Sequence, residues 1–216
     1  MQLEIIPGVF VISSTIFYQY LIAESGDLTL IDTGLPNNAG NIANYLTQNG
    51  FKIDQVKRIL ITHADGDHYG SVNAILEMNP LIRVLTSQIE ADAMRAGRSS
   101  RELKGKGFTQ LVHKVSAPLF AVKPTRVDEI LQPGQILPFL NGLEVLDTKG
   151  HTPGHISFYS ASTGMLFSGD SIAISGKELH PSKGGNTWDE ELAKVSFEKE
   201  MALNPKYICG GHGFYR

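Results

Sequence analysis

The sequence has one cysteine, Cys209, in 216 residues. No disulfide can therefore form within the chain, and a reducing compartment suits it. Long apolar runs are missing too. The stretch from Met1 to Ser14 has no basic start and carries Glu4, Pro7 and Gly8 inside its apolar part, so neither a secretory signal nor a membrane span is expected and the expected location is cytoplasmic. No sign of charge dominates: 19 Lys and Arg stand against 22 Asp and Glu, a net charge of -3. That balance exerts no global pull towards nucleic acid or anionic membrane. Glycine, by contrast, is plentiful at 22 residues, which fits many loops and close backbone approach around a site. With 42% hydrophobic and 19% charged residues, the composition is that of a soluble globular protein, and residues 1–216 fit one domain with a substantial core.

The most informative stretch is Ile59-Leu60-Ile61-Thr62-His63-Ala64-Asp65-Gly66-Asp67-His68-Tyr69-Gly70. Its apolar and β-branched start reads as a short buried strand, and four potential metal ligands follow within six positions. His63 and Asp65 are two apart, so an extended backbone turns them to one side. Gly66 permits a sharp turn that sends Asp67 and His68 to a second point nearby. Imidazoles and carboxylates in this number are the ligand chemistry of zinc, iron or manganese, and the geometry suits two metals better than one.

Three later segments share the pattern: Lys149-Gly150-His151-Thr152-Pro153-Gly154-His155, Phe167-Ser168-Gly169-Asp170-Ser171 and Cys209-Gly210-Gly211-His212-Gly213. Each places a His or Asp beside glycine at or just beyond a β-like run, so ligands from separate strands can converge on one sheet edge. With Ile31-Asp32-Thr33-Gly34 at the front, these segments occur in an order that resembles the metallo-β-lactamase fold superfamily of hydrolases, in its broad glyoxalase II-like and lactonase-like branch. The resemblance implies an α/β, four-layer αβ/βα sandwich with a dinuclear metal site at the edge between two mixed β-sheets. It implies one metal held by His63, residue 65 and His151, and a second by Asp67, His68 and His212, with Asp170 bridging. Asp32 would support the ligand loop, although a turn-capping Asp is an equally plain reading.

The sequence departs from the family at position 65, where Asp65 replaces the second histidine of the His-x-His-x-Asp-His motif. If Asp65 ligates, the site is richer in oxygen and less positive, which moves preference from zinc towards iron or manganese; otherwise the first site is weak or empty. The expected cofactors are two divalent ions, zinc first, with iron or manganese as alternatives. The expected reaction is hydrolysis of a small ester, thioester or lactone by a metal-bridging hydroxide, with Asp67 holding it and accepting its proton. The competing class is an iron redox enzyme resembling persulfide dioxygenases or flavodiiron proteins. The second of these needs a flavin-carrying domain, and only four residues follow His212. A nuclease or a β-lactamase ranks lower.

The remaining chain reads as an opening antiparallel meander over Leu3 to Ile6, Val9 to Ser13, Phe17 to Ala23 and Leu28 to Ile31. Helices are expected over Asn38 to Gly50, from Val72 to Asn79, after a Ser87 cap, and after a Thr187-to-Glu190 capping box. Residues 93–127 form a basic connector or a lid, with Arg95, Arg98, Arg101, Lys104, Lys106, Lys114, Lys123 and Arg126 against Glu102 alone. Such a lid would favour a small-molecule substrate with an anionic group. There is no second basic run and little aromatic interleaving, so nucleic acid is not an expected partner; neither is membrane, and homo-oligomerisation stays open. Residues 178–186 read as a loop offering Lys177 and His180 as substrate contacts. His113 reads as ordinary and His155 as structural.

Overall fold

The computed structural model describes residues 3–14, 16–101 and 120–216. His113 and the middle of the basic segment, including Lys104, Lys106 and Lys114, lie outside the described residues. Alternating apolar residues make the chain open as the expected meander, β1 (Leu3–Ile6), β2 (Val9–Ser14), β3 (Phe17–Glu24) and β4 (Asp27–Ile31), all antiparallel. Helix α1 (Ala39–Gln48) then crosses to β5 (Val56–Leu60), which pairs parallel with β4. Beyond the short α2 (Gly66–Tyr69) and α3 (Val72–Met78), β6 (Arg83–Thr86) and β7 (Glu129–Ile130) extend the sheet in parallel, with α4 (Gln88–Arg95) following β6.

The second sheet contains β8 (Ile136–Leu137), β9 (Leu143–Asp147), β10 (Ile156–Ser160), β11 (Met165–Gly169), β14 (Tyr207–Gly210) and β15 (Gly213–Tyr215), in the order β15-β14-β11-β10-β9-β8. A separate hairpin joins β12 (Ile172–Ser175) to β13 (Glu178–Pro181), and α5 (Glu190–Ala202) packs behind.

Strand periodicity accounts for the layers. Successive side chains face opposite ways, so in β4 and β5 Leu30 and Ile59 pack among α1, α3 and α4, while their neighbours Ile31 and Leu60 face the other sheet. In the second sheet Val145, Phe158 and Phe167 meet Ile31 and Leu60, while Leu146, Tyr159 and Leu166 face Phe197 and Met201 of α5. Helices, sheet, sheet and helix are the four layers, and both sheets mix parallel and antiparallel pairs. Burying Phe158 or Phe167 completely is worth about 2–3 kcal/mol each, so the inter-sheet layer sets the spacing between the sheets. No helix among the described residues is long and apolar enough to cross a membrane.

Three local expectations need correction, and at Gly66 the outcome stands for a different reason. The stretch 178–186 is not wholly a loop, because β13 pairs with β12. Helix α5 is capped by Asp189, whose side chain accepts from the N–H groups of Glu191 and Leu192, and not by Thr187. Ser87 precedes α4, but its hydroxyl donates to the Gly154 carbonyl at 2.6 Å instead of capping. Gly66 opens α2 without a left-handed turn; a Cβ there would run into the Phe120 carbonyl, so close approach is what requires glycine.

Candidate metal centre

Strand direction brings the ligand candidates together. In the first sheet β4 and β5 run parallel, so Asp32 and the His63–His68 loop leave from the same edge. In the second, β9 and β11 are each antiparallel to β10, and β11 is parallel to β14; their C-terminal ends, followed by His151, Asp170 and His212, therefore share an edge as well. The seven candidates fall into three overlapping groups, each with ligand atoms within 4.8 Å of one another: His63, Asp65 and His151; His63, His68 and Asp170; and Asp67, His68 and His212.

The imidazoles are held from behind. Thr62 Oγ1 donates to Asp32 Oδ2 at 2.8 Å and so accepts from His63 Nδ1 at 3.0 Å. His68 Nδ1 donates to the same Asp32 oxygen at 2.8 Å, and His212 Nδ1 donates to the Ile16 carbonyl at 3.0 Å. His151 Nδ1 lies 2.8 Å from Ser182 Oγ, which in turn lies 2.9 Å from Thr187 Oγ1. With Nδ1 engaged in every ring, the Nε2 atoms turn inward, the arrangement that fixes tautomer and orientation in metal-binding histidines. Asp32 itself sits at φ 58, a left-handed conformation uncommon for a residue with a side chain; there its carboxylate also accepts from Thr62 N at 2.9 Å.

A cation fits this centre. His63 Nε2, His68 Nε2 and Asp170 Oδ1 are buried with no hydrogen-bond partner, a costly condition unless another species completes them. Gly211 keeps the space open, since a Cβ there would overlap Asp170 Oδ1 and the His68 ring. Protonation follows the same demand. Burial alone would lower the His68 pKa, but the Asp170 and Asp32 carboxylates raise it well above the ordinary value. The Asp170 carboxylate pushes His212 up to about 9, against the opposing effect of burial. Burial would raise Asp170, yet His68 and His212 hold it well below the usual carboxylate range. His151 is lowered, chiefly by burial.

Asp65 is placed differently from its neighbours. Its Oδ2 lies 3.2 Å from His151 Nε2 and 3.5 Å from His63 Nε2, yet the same oxygen accepts from Arg101 Nη2, and Oδ1 accepts from Ser99 Oγ at 2.7 Å. Arg101 is the one described cation of the basic segment to reach the ligands; Arg95 and Arg126 are spent on Val127, Pro80 and Ile82 carbonyls. Lys177 is exposed at the hairpin turn, and His180 Nε2 lies 3.3 Å from Glu178 Oε2; neither belongs to the three groups of ligand atoms. His155 is buried; its Nε2 accepts from Asp170 N at 3.2 Å and its Nδ1 meets Thr148 Oγ1 at 2.9 Å, a supporting position.

Glu90 has no counterpart among the residues singled out from sequence. Fully buried, its carboxylate accepts from Ala64 N, Thr152 Oγ1, Gly154 N and Ser100 Oγ at 2.7–2.9 Å. It thus ties the His63 loop, the His151 loop and the approach to Arg101 into one body. Only the tertiary fold could have revealed this, for a lone Glu in an amphipathic helix carries no signal.

A profile described as the metallo-beta-lactamase superfamily matches residues 18–212. The chain is 30% identical over 223 residues to the probable metallo-hydrolase YflN of Bacillus subtilis, covering 96% of this chain and 83% of that protein. It is 30% identical over 196 residues to the hydroxyacylglutathione hydrolase of Methylobacillus flagellatus, covering 89% of this chain and 61% of that enzyme. Among solved structures, a beta-lactamase from Chitinophaga pinensis superposes with a TM-score of 0.74 at 19% identity, covering 98% of this chain and 77% of that one.

Proposed function

The chain belongs to the metallo-β-lactamase superfamily, and from that premise we propose that it is a metal-dependent hydrolase acting on a small ester, thioester or lactone. The observation that carries this reading is the shared inward direction of the His63, His68, His151 and His212 Nε2 atoms around Asp67 and Asp170, with His63 Nε2, His68 Nε2 and Asp170 Oδ1 left unpartnered. Imidazole nitrogen with carboxylate oxygen suits zinc, and iron or manganese are the alternatives. A divalent ion held by these residues would supply Lewis acidity, lowering the pKa of water and polarising a carbonyl oxygen.

The rest falls to the chain itself. Asp67 Oδ2 lies 3.5 Å from His212 Nε2, and His212 is the most exposed of the ligand side chains, at 43%. Substrate therefore enters beside His212, where Asp67 would accept the proton of the water that attacks the carbonyl carbon and return it to the alcohol or thiol that leaves. Asp32, through Thr62 and His68, keeps the rings from turning as charge moves. A relative named for hydroxyacylglutathione hydrolysis makes a thioester the first substrate to try.

The test sets zinc-loaded protein against an S-acylglutathione, a p-nitrophenyl ester and an N-acyl homoserine lactone. Hydrolysis of at least one is expected, with loss on chelation, recovery on adding zinc, and a fall in kcat of about a hundredfold or more in Asp67→Asn. Turnover that is indifferent to both chelation and Asp67→Asn, or none on any of the three, would refute the reading.

A further inference from the structure

We propose that the guanidinium of Arg101 is a resident cation that takes the first of the two ion positions, so that the chain holds one divalent ion, in the group formed by Asp67, His68 and His212 with Asp170. The proposal deepens the hydrolase reading and rests on its metal-binding part.

The geometry turns on one oxygen. An ion in the group of His63, Asp65 and His151 needs Asp65 Oδ2, the carboxylate atom nearest both imidazoles. Arg101 Nη2 donates to that same atom and lies 3.4 Å from His151 Nε2, within the same cluster. Asp65 Oδ1 accepts from Ser99 Oγ at 2.7 Å. Both oxygens of the carboxylate are thus engaged by the segment that carries Arg101. In the second group the His68 Nε2 and Asp170 Oδ1 atoms have no hydrogen-bond partner, and no Arg or Lys among the described residues pairs with Asp67 or Asp170.

The guanidinium is not there by accident of a loose chain. The run from α4 to Arg101 is fixed at three points: Arg98 N donates to the Ala93 carbonyl, Tyr69 Oη to the Arg98 carbonyl, and Ser100 Oγ to Glu90. The Arg101 side chain is 4% exposed. Its Nε and Nη1 have no partner among the described residues, so what holds the group in place is the Asp65 charge and not a saturated hydrogen-bond network. Arginine does not lose its proton in proteins, so this positive charge is permanent. A divalent ion entering the first group would have to break a buried ion pair and then sit beside the displaced charge. The sequence shows the same pairing: a carboxylate stands where a neutral imidazole is usual, and a cation that neutralises it arrives from 36 residues away.

The experiment is a titration of metal-free protein with cobalt(II), followed by its visible absorption, with ion content after zinc loading measured by mass spectrometry. Wild type is expected to show a single equivalence point at one ion per chain. His212→Ala should lose that ion, while His151→Ala should keep it within about threefold in affinity. Arg101→Gln should gain a second equivalent, at least tenfold tighter than any second binding in wild type. Two ions of comparable affinity in wild type would overturn the proposal and leave the metal-dependent reading standing, whereas no bound ion would overturn both. A single ion in both wild type and Arg101→Gln, or loss of the ion in His151→Ala but not in His212→Ala, would overturn the assignment of Arg101. Should Arg101→Gln fail to fold, the wild-type titration and the two histidine variants still decide the matter.

Discussion

Glu200 lies at the back of the metal centre on α5, and it shows how single side chains set the limits of this protein. Fully buried, its two carboxyl oxygens lie 2.9 and 2.8 Å from Ser171 Oγ, and burial pushes its pKa up to about 8 against the lowering effect of the serine hydroxyls. The folded state therefore keeps a proton that the unfolded chain gives up near 4.5. Stability from this group is full below that value and is lost as pH rises to about 8, with a slope of about 1.4 kcal/mol per pH unit. The difference in unfolding free energy between metal-loaded wild type and Glu200→Gln, measured from pH 5 to 8, should shrink or invert as pH rises; a difference that does not change with pH would show that Glu200 is not held neutral. The seven candidate ligands were legible in the sequence because each sits in a short motif at a strand end. Arg101, Glu90, Ser182 and Glu200 were not, since their partners are 36, 62, 31 and 29 residues away and nothing local marks them.

Among elements, α4 does the most to assemble the centre, although no ligand lies on it. Through Glu90 it grips loops from both sheets, and through Ser87 it holds the Gly154 carbonyl. Glu90→Ala would leave four donors without an acceptor in a buried place. We expect a loss of about 3 kcal/mol in stability and a fall of about 10–100-fold in zinc affinity, the usual effect of removing a group that orients ligands. Chelator-competition titration alongside denaturant unfolding checks both, and unchanged zinc affinity in a folded variant would show that the loops hold their own shape. Element type was readable where periodicity was strong, as in β1 to β4 and α1. It failed where local chemistry was diverted to tertiary use: Ser87 bonds across to Gly154 instead of capping, and the stretch around Pro181 closes a hairpin that no alternation announces.

At the scale of the whole molecule, the centre is a joint between halves. His63, Asp65, Asp67 and His68 come from the edge of the first sheet, and His151, Asp170 and His212 from the edge of the second. Apart from the apolar layer between the sheets, a direct tie near this edge is Tyr20 Oη, which donates to the Gly210 carbonyl at 2.8 Å. An ion gripping both halves binds the folded chain and not the unfolded one, so it must stabilise the fold by mass action. With free zinc at a hundredfold over Kd the gain is about 2.7 kcal/mol, which for a domain of this size corresponds to a rise in Tm of about 5–10 °C. Thermal unfolding with zinc and with chelator measures this directly. An equal Tm in both would mean that the folded chain does not bind zinc in preference to the unfolded one. The zinc dependence of the gain also bears on Arg101: one ion adds about 1.4 kcal/mol for each tenfold rise in free zinc above Kd, and the doubled slope of a second ion should be absent, because the first position already carries its positive charge.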